Sequence, residues 1–275
     1  MHRERYSGLA RGVRAAQRWM AAALVALFVV AIAVASCGGP AKARPAGGPL
    51  SILVVGDSIS TGCSDVPVTG WCGRLSALLS ARSIEHSIAG HTVAGQSCVT
   101  LSYGFAARFD QVQPDVVILN CGTNDAPLTA SAQNLVGERW RTMTEYAWTH
   151  GAHVLPVFVQ YSNEEINEEN GRSWLLPGEG AANDVVYVNM QYYISAGWFV
   201  GLADLQRVPG DWNYLNGGTD GIHPNEFGQN VYAIIFYRAM RGFYGWPDTV
   251  PEPRGMWGHR EIYGPPSYIP WEVAA

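Results

Sequence analysis

An apolar run, Ser51-Ile52-Leu53-Val54-Val55, passes without interruption into Gly56-Asp57-Ser58-Ile59-Ser60. A buried strand that ends in glycine and then a small acidic-hydroxyl pair delivers those side chains to the carboxyl edge of a sheet, where open α/β folds place their ligands. Ser58 is therefore a candidate nucleophile. The same three residue types also build ordinary strand-to-loop turns, so the stretch acquires meaning only from what lies downstream.

The chain that follows alternates strands and helices. Trp71 to Arg82 has Leu75, Leu78 and Leu79 at helical spacing, and a short strand around His86-Ser87-Ile88 leads into Gly90-His91-Thr92-Val93-Ala94-Gly95-Gln96. Asp115 to Asn120 is a continuous apolar run of the kind buried on both faces. A helix over Asn134–His150 and a strand over His153–Val159 come next. Pro156 argues against a central, fully hydrogen-bonded place for that strand. Between Gln160 and Asp184 the pattern lapses into a glutamate-rich stretch, which reads as a solvated excursion or a substrate-facing lid. Val185 to Val188 is a short strand, and Asp204 and Asp211 fall in a linker without clear period. A last helix opens at Pro224, with Val231, Ile234, Ile235 and Ala239 on one face. Parallel strands with covered faces make a three-layer α/β sandwich around a parallel central sheet.

Outside this body the composition changes. Five arginines and Glu4 lie within the first eighteen residues, and Trp19 to Ala35 is apolar throughout. Val34-Ala35-Ser36-Cys37 closes the run with small residues before a cysteine. Residues 1–37 thus read as a signal peptide whose last tetrapeptide resembles a bacterial lipobox, making Cys37 the expected site of lipidation. An uncleaved transmembrane anchor is the other reading. Either way the body is expected outside the cytoplasm, held to the cell membrane. Residues 38–48, rich in Gly, Pro and Ala, form a flexible tether. The domain spans 49–242, and 243–275 is a Pro-, Gly- and aromatic-rich extension suited to wrapping the surface or stacking on carbohydrate.

The whole chain carries 18 basic and 23 acidic residues; without the first eighteen positions, 13 and 22 remain, a net charge of −9. Such a body repels polyanions, so nucleic acid is not an expected partner. Four cysteines follow Cys37, in a compartment that permits disulfides. They admit three pairings. The expected ones join Cys63 to Cys72, closing the loop after the first strand, and Cys98 to Cys121, tying two site loops together; four buried free thiols are the alternative. No pair has zinc-site spacing, and neither metal nor organic cofactor is expected.

Two further motifs complete the picture, Gly122-Thr123-Asn124-Asp125 after the third clear strand and Asp220-Gly221-Ile222-His223-Pro224 before the last helix. With Gly56-Asp57-Ser58, their order and setting resemble the SGNH, or GDSL-type, hydrolase family, named for a Ser, a Gly, an Asn and a His in four blocks. The resemblance runs from Ser51 to about Met240 and implies a flavodoxin-like fold. The second block is Gly95, with Gly90 as its substitute, because the family usually spaces two glycines more closely than these.

A serine hydroxyl needs a base within reach to act as a nucleophile. His223 would take the Ser58 proton, and Asp220 would hold the imidazole in the correct tautomer. The resemblance implies an oxyanion hole made by the Ser58 and Gly95 N–H groups and the Asn124 amide. His91 is a weaker rival base, since no acidic residue neighbours it. Asp57 and Asp125 are expected to bind loop N–H groups and stay outside the chemistry. The implied activity is a serine esterase that hydrolyses or transfers an acyl group from a small-molecule, glycan or lipid ester, with the cell envelope as the nearest source of substrate. The competing class is a non-catalytic envelope binding protein that keeps the fold.

Overall fold

The computed structural model describes residues 48–125, 130–158, 198–205 and 222–247. Four parallel strands, β1 (Leu50–Gly56), β2 (His86–Thr92), β3 (Val116–Asn120) and β4 (His153–Phe158), form the sheet. A two-residue β5 (Ala203–Asp204) extends one edge, and the spatial order is β2-β1-β3-β4-β5. This is the doubly wound order of flavodoxin-like folds, with its crevice where the chain direction reverses about β1 and β3. The expected α/β class and its parallel central sheet are present.

Period-two alternation sends β1 into two cores at once. Leu50, Ile52 and Val54 face one side with Val116, Ile118, Leu155 and Val157. Leu53 and Val55 face the other with Val117, Leu119 and Val154. Helices α1 (Gly70–Ser80) and α4 (Glu226–Tyr244) cover the first side through Trp71, Leu75, Leu79, Val231, Tyr232 and Phe236. Trp71 and Phe236 stack with ring centroids 4.2 Å apart. Helices α2 (Cys98–Val112) and α3 (Ala130–Thr149) cover the second through Leu101, Phe105, Phe109, Trp140 and Met143. Truncating a strand residue such as Ile118 to alanine, in a core this full, costs about 2–5 kcal/mol.

Several sequence expectations need correction. Helix α2 fills the stretch between Gln96 and Asp115, to which the sequence reading assigns no element. Asp204 sits in a strand, not a linker, because β5 pairs with Val157 and Phe158 of β4. Pro224 precedes the last helix instead of opening it; Asn225 is the N-cap, its side chain accepting from the Gly228 N–H at 2.9 Å. On α4, Tyr232, Phe236 and Tyr237 are buried with Val231 and Ile235, whereas Ile234 and Ala239 sit at the margin.

Pro156 pairs with Leu119 of β3 and thus lies inside the sheet. Val154 directs both its N–H and its C=O toward Trp198 and Val200, so by alternation the donor that Pro156 lacks also points outward, where β5 is short. The proline is tolerated for that reason. The proposed signal peptide, most of the tether, the 160–184 excursion, the 185–188 strand, Asp211 and the tail beyond Pro247 lie outside the described residues.

Candidate active site

Register brings the motif loops to one level. Gly56 is matched with Thr92 on β2 and with Asn120 on β3. Ser58, Gly95 and Asn124 therefore lie two, three and four residues past the same line, on loops leaving the carboxyl edge. The Val93 N–H donates to the Gly56 carbonyl at 3.1 Å, which starts the second loop beside the first.

Ser58 opens a 3-10 helix, Ser58–Ser64, capped by Asp57, whose Oδ1 accepts from the Ile59 N–H at 3.0 Å. Gly56 lets this helix fold back tightly. A Cβ there would meet Ser60 Cβ at 2.7 Å and the Asn120 carbonyl at 2.9 Å. Beneath the helix, Asn120 Nδ2 donates to Ser60 Oγ at 2.9 Å, both residues being buried. Ser58 itself remains partly exposed.

The decisive contact is between Ser58 Oγ and His223 Nε2, 2.7 Å apart across 165 residues of sequence. His223 is brought there by α4, whose first turns are fastened to α1. Gln229 Oε1 accepts from the Trp71 N–H at 2.6 Å, and Arg74 Nη1 donates to Asn230 Oδ1 at 2.5 Å. Asp220 lies outside the described residues.

The three groups suggested as oxyanion donors differ in their surroundings. In the 3-10 helix the Ile59 and Ser60 N–H groups are taken by Asp57 Oδ1 and the Asp57 carbonyl, but no acceptor among the described residues engages the Ser58 N–H. Gly95 is exposed at φ +73°, and nothing lies within 4 Å of where its Cβ would stand. Its N–H likewise has no acceptor among the described residues. Asn124 is exposed, with Nδ2 donating to the Gln96 carbonyl at 3.2 Å. A carboxamide nitrogen carries two hydrogens, so that bond orients the amide and leaves one N–H for a ligand. Gly90 is no substitute for Gly95. It is buried within β2, where a Cβ would meet the Cys63 carbonyl carbon at 2.8 Å, so its smallness serves packing against the 3-10 helix.

Both expected disulfides are formed, Cys63–Cys72 and Cys98–Cys121. His91 is packed away from the site, with Nε2 against the Leu101 carbonyl at 2.8 Å. His150 stacks on Tyr146, and His153 is edge-on to Trp148 and Phe243.

Two buried carboxylates underlie the edge. Burial pushes Asp57 up to about 6, against the pull of the Ile59 N–H, Thr123 and His223 and with a smaller push from Asp125. Asp125 is also raised by burial, opposed by the Cys98 and Val99 N–H groups. Tyr232, fully buried on α4, is held well above its ordinary range by burial and by the field of Asp57. Sequence reading did not anticipate Thr123, Tyr232 or the Ser60–Asn120 pair. Thr123 and Ser60 carried a signal, standing inside the third motif and the opening stretch; Tyr232 did not.

Comparison with known proteins places the architecture. The model of the GDSL-like lipase/acylhydrolase family matches residues 54–231. No curated protein matches the sequence at a significant level. Among solved structures, the psychrotrophic esterase EstA from Pseudoalteromonas sp. is similar at 14% identity and a TM-score of 0.55, over 71% of this chain and 98% of its own. The lipase/acylhydrolase from Enterococcus faecalis is similar at 19% and 0.55, over 70% and 96%. The acetyl xylan esterase AlAXEase is similar at 18% and 0.52, over 69% and 99%. At these identities the structural likeness speaks for the fold.

Proposed function

Since the chain belongs to the GDSL-like lipase/acylhydrolase family, and is thereby a serine ester hydrolase, we propose that Ser58 is its nucleophile, His223 its general base and Asp220 the residue that orients the imidazole. The observation that carries this assignment is the 2.7 Å approach of Ser58 Oγ to His223 Nε2. At that distance the imidazole takes the hydroxyl proton as Oγ attacks the ester carbonyl. The resulting oxyanion is received by the N–H groups of Ser58 and Gly95 and the second amide hydrogen of Asn124. Collapse expels the alcohol, which leaves with the proton held on His223, and an acyl group remains on Ser58. Water then attacks with His223 again as base, returning the serine and releasing the acid; a sugar hydroxyl in its place gives acyl transfer.

The remaining features of the reading are the enzyme's setting and substrate. The arginine-rich start, the apolar run and Cys37 support an exported lipoprotein. Acylated glycans or lipids of the envelope are then the nearest esters, and the likeness to an acetyl xylan esterase is a reason to include acetylated glycans among the substrates tried.

A fluorophosphonate that phosphonylates activated serines tests the core of the proposal. Wild type labels and Ser58→Ala does not; a folded wild type that stays unlabelled would favour a binding protein. p-Nitrophenyl esters from acetyl to palmitoyl, run beside acetylated glycans, sort deacetylation from lipid hydrolysis. Processing that is blocked by globomycin, with a diacylglyceryl mass on the peptide beginning at Cys37, is the expected result for the anchor, and an unmodified cysteine rejects it.

A further inference from the structure

The second and third motif loops carry two of the three oxyanion donors, and both donors are exposed. Gly95 is not gripped by packing of its own, since a Cβ there would touch nothing within 4 Å, and the described bond that joins the two loops near their tips is a single exposed one, from the Asn124 side chain to the Gln96 carbonyl. An oxyanion hole works only if its donors are fixed before charge develops. Something must hold these two loops at a constant spacing.

The holding groups lie one step below. Cys98, three residues after Gly95, is bonded to Cys121, three residues before Asn124, with Cα atoms 5.1 Å apart. Both cysteines are buried in the core shared with α2 and α3. Three residues reach at most about 10 Å, so neither donor can stray far from the link. Asp125, the residue after Asn124, sends Oδ2 to the Cys98 N–H at 2.8 Å and is buried. The start of α2 is thus seized twice by the third loop, covalently at one end of Gly122–Asn124 and by a carboxylate at the other. The other disulfide does not play this part, because Cys63–Cys72 ties the Ser58 helix to α1.

We propose that the Cys98–Cys121 bond and the Asp125 carboxylate form a positioning clamp that sets the spacing of the Gly95 N–H and the Asn124 amide, so that opening it slows the acyl-transfer step more than it weakens substrate binding. The proposal rests on the assignment of Ser58 and its oxyanion donors made above. A disulfide that only stabilised the fold would lower the melting temperature and leave kcat unchanged well below the transition. A clamp acts on kcat, and it acts through Asn124.

The test is a double-mutant cycle on a short-chain p-nitrophenyl ester, at a temperature where every variant is folded by circular dichroism. The double variant Cys98→Ser/Cys121→Ser is expected to lose about 10- to 100-fold in kcat, the penalty of a displacement approaching 1 Å, with KM little changed. In an Asn124→Ala background the same pair of substitutions is expected to cost far less. Equal losses in the two backgrounds, agreeing within about twofold, would overturn the clamp, as would an unchanged kcat or a rise in KM alone. Asp125→Ala, which keeps the disulfide, repeats the cycle if the serine pair fails to fold, and additivity with Asn124→Ala rejects the proposal equally. Should Ser58→Ala retain the hydrolysis of wild type, the site assignment itself fails and the clamp falls with it; a wild type dependent on Ser58 with a kcat indifferent to the cysteines removes the clamp alone.

Discussion

The loop carrying Ser58 and the pair of loops carrying Gly95 and Asn124 leave the same sheet edge, yet they are secured differently. Ser58 is fixed from directly beneath: Gly56 has no room for a side chain, Asp57 caps the helix, and Ser60 and Asn120 bond in the interior. The other two loops present exposed tips and are restrained below them, at Cys98 and Cys121, three residues from each tip, and at Asp125 beside Asn124. The position of the proposed nucleophile is therefore a local property of one tight turn. That of the proposed oxyanion donors is a relation between two loops.

Substitutions can break or sharpen this contrast. The largest effect is expected at Ser58→Ala, which lowers kcat by a factor on the order of 10⁴ to 10⁶ while leaving the melting curve nearly in place; steady-state kinetics beside calorimetry checks it. Asn124→Ala comes next. It should lower kcat by about 10² to 10³, the ordinary loss for one oxyanion donor, and a fall in affinity alone would count against its role.

Asp57 offers a third handle, read in stability. Its folded-state pKa of about 6 lies above the ordinary 3.8 because burial disfavours the charge. The fold thus holds this proton more tightly than the unfolded chain. Its contribution is fully present below about pH 4 and is lost as pH rises to about 6, with an amplitude of roughly 2–3 kcal/mol. Asp57→Asn, which can still cap the helix, should flatten that part of the curve in denaturant titrations run from pH 4 to 7.

Glycine substitutions provide the smallest and most direct comparison. Gly56→Ala must displace Ser60 or the Asn120 carbonyl and is expected to destabilise by about 1–3 kcal/mol. Gly95→Ala meets no atom and pays only for its left-handed backbone, about 1 kcal/mol. Chemical denaturation of the two variants side by side checks the order, and a reversal would refute the claim that the first turn is the tighter.

Legibility in the sequence follows the same division. β1 and β3 were readable because strands covered on both faces are apolar without alternation, and the first and third motifs stood out because they follow directly on those strands. Helix α2 was missed although Cys98, Leu101, Phe105 and Phe109 mark its buried stripe, since Tyr103 and Gly104 interrupt the impression of a helix. Strand β5 was invisible for another reason. Two residues hold no period, and only the neighbouring strand makes Ala203 and Asp204 extended. The choice between Gly90 and Gly95 turned on what surrounds each glycine, which spacing along a chain does not encode. Tyr232 is legible as a core residue but not as a neighbour of Asp57, because that proximity arises where α4 crosses the sheet.

The 165 residues between Ser58 and His223 also bear on when the molecule becomes reactive. A chain that has formed the first strand, the serine turn and most of the sheet still lacks the described partner of the Ser58 hydroxyl. The imidazole stands just before α4, which Gln229 and Asn230 fasten to α1. On the proposed chemistry, turnover would require α4 to be docked, and its onset would report that the two ends of the domain have met.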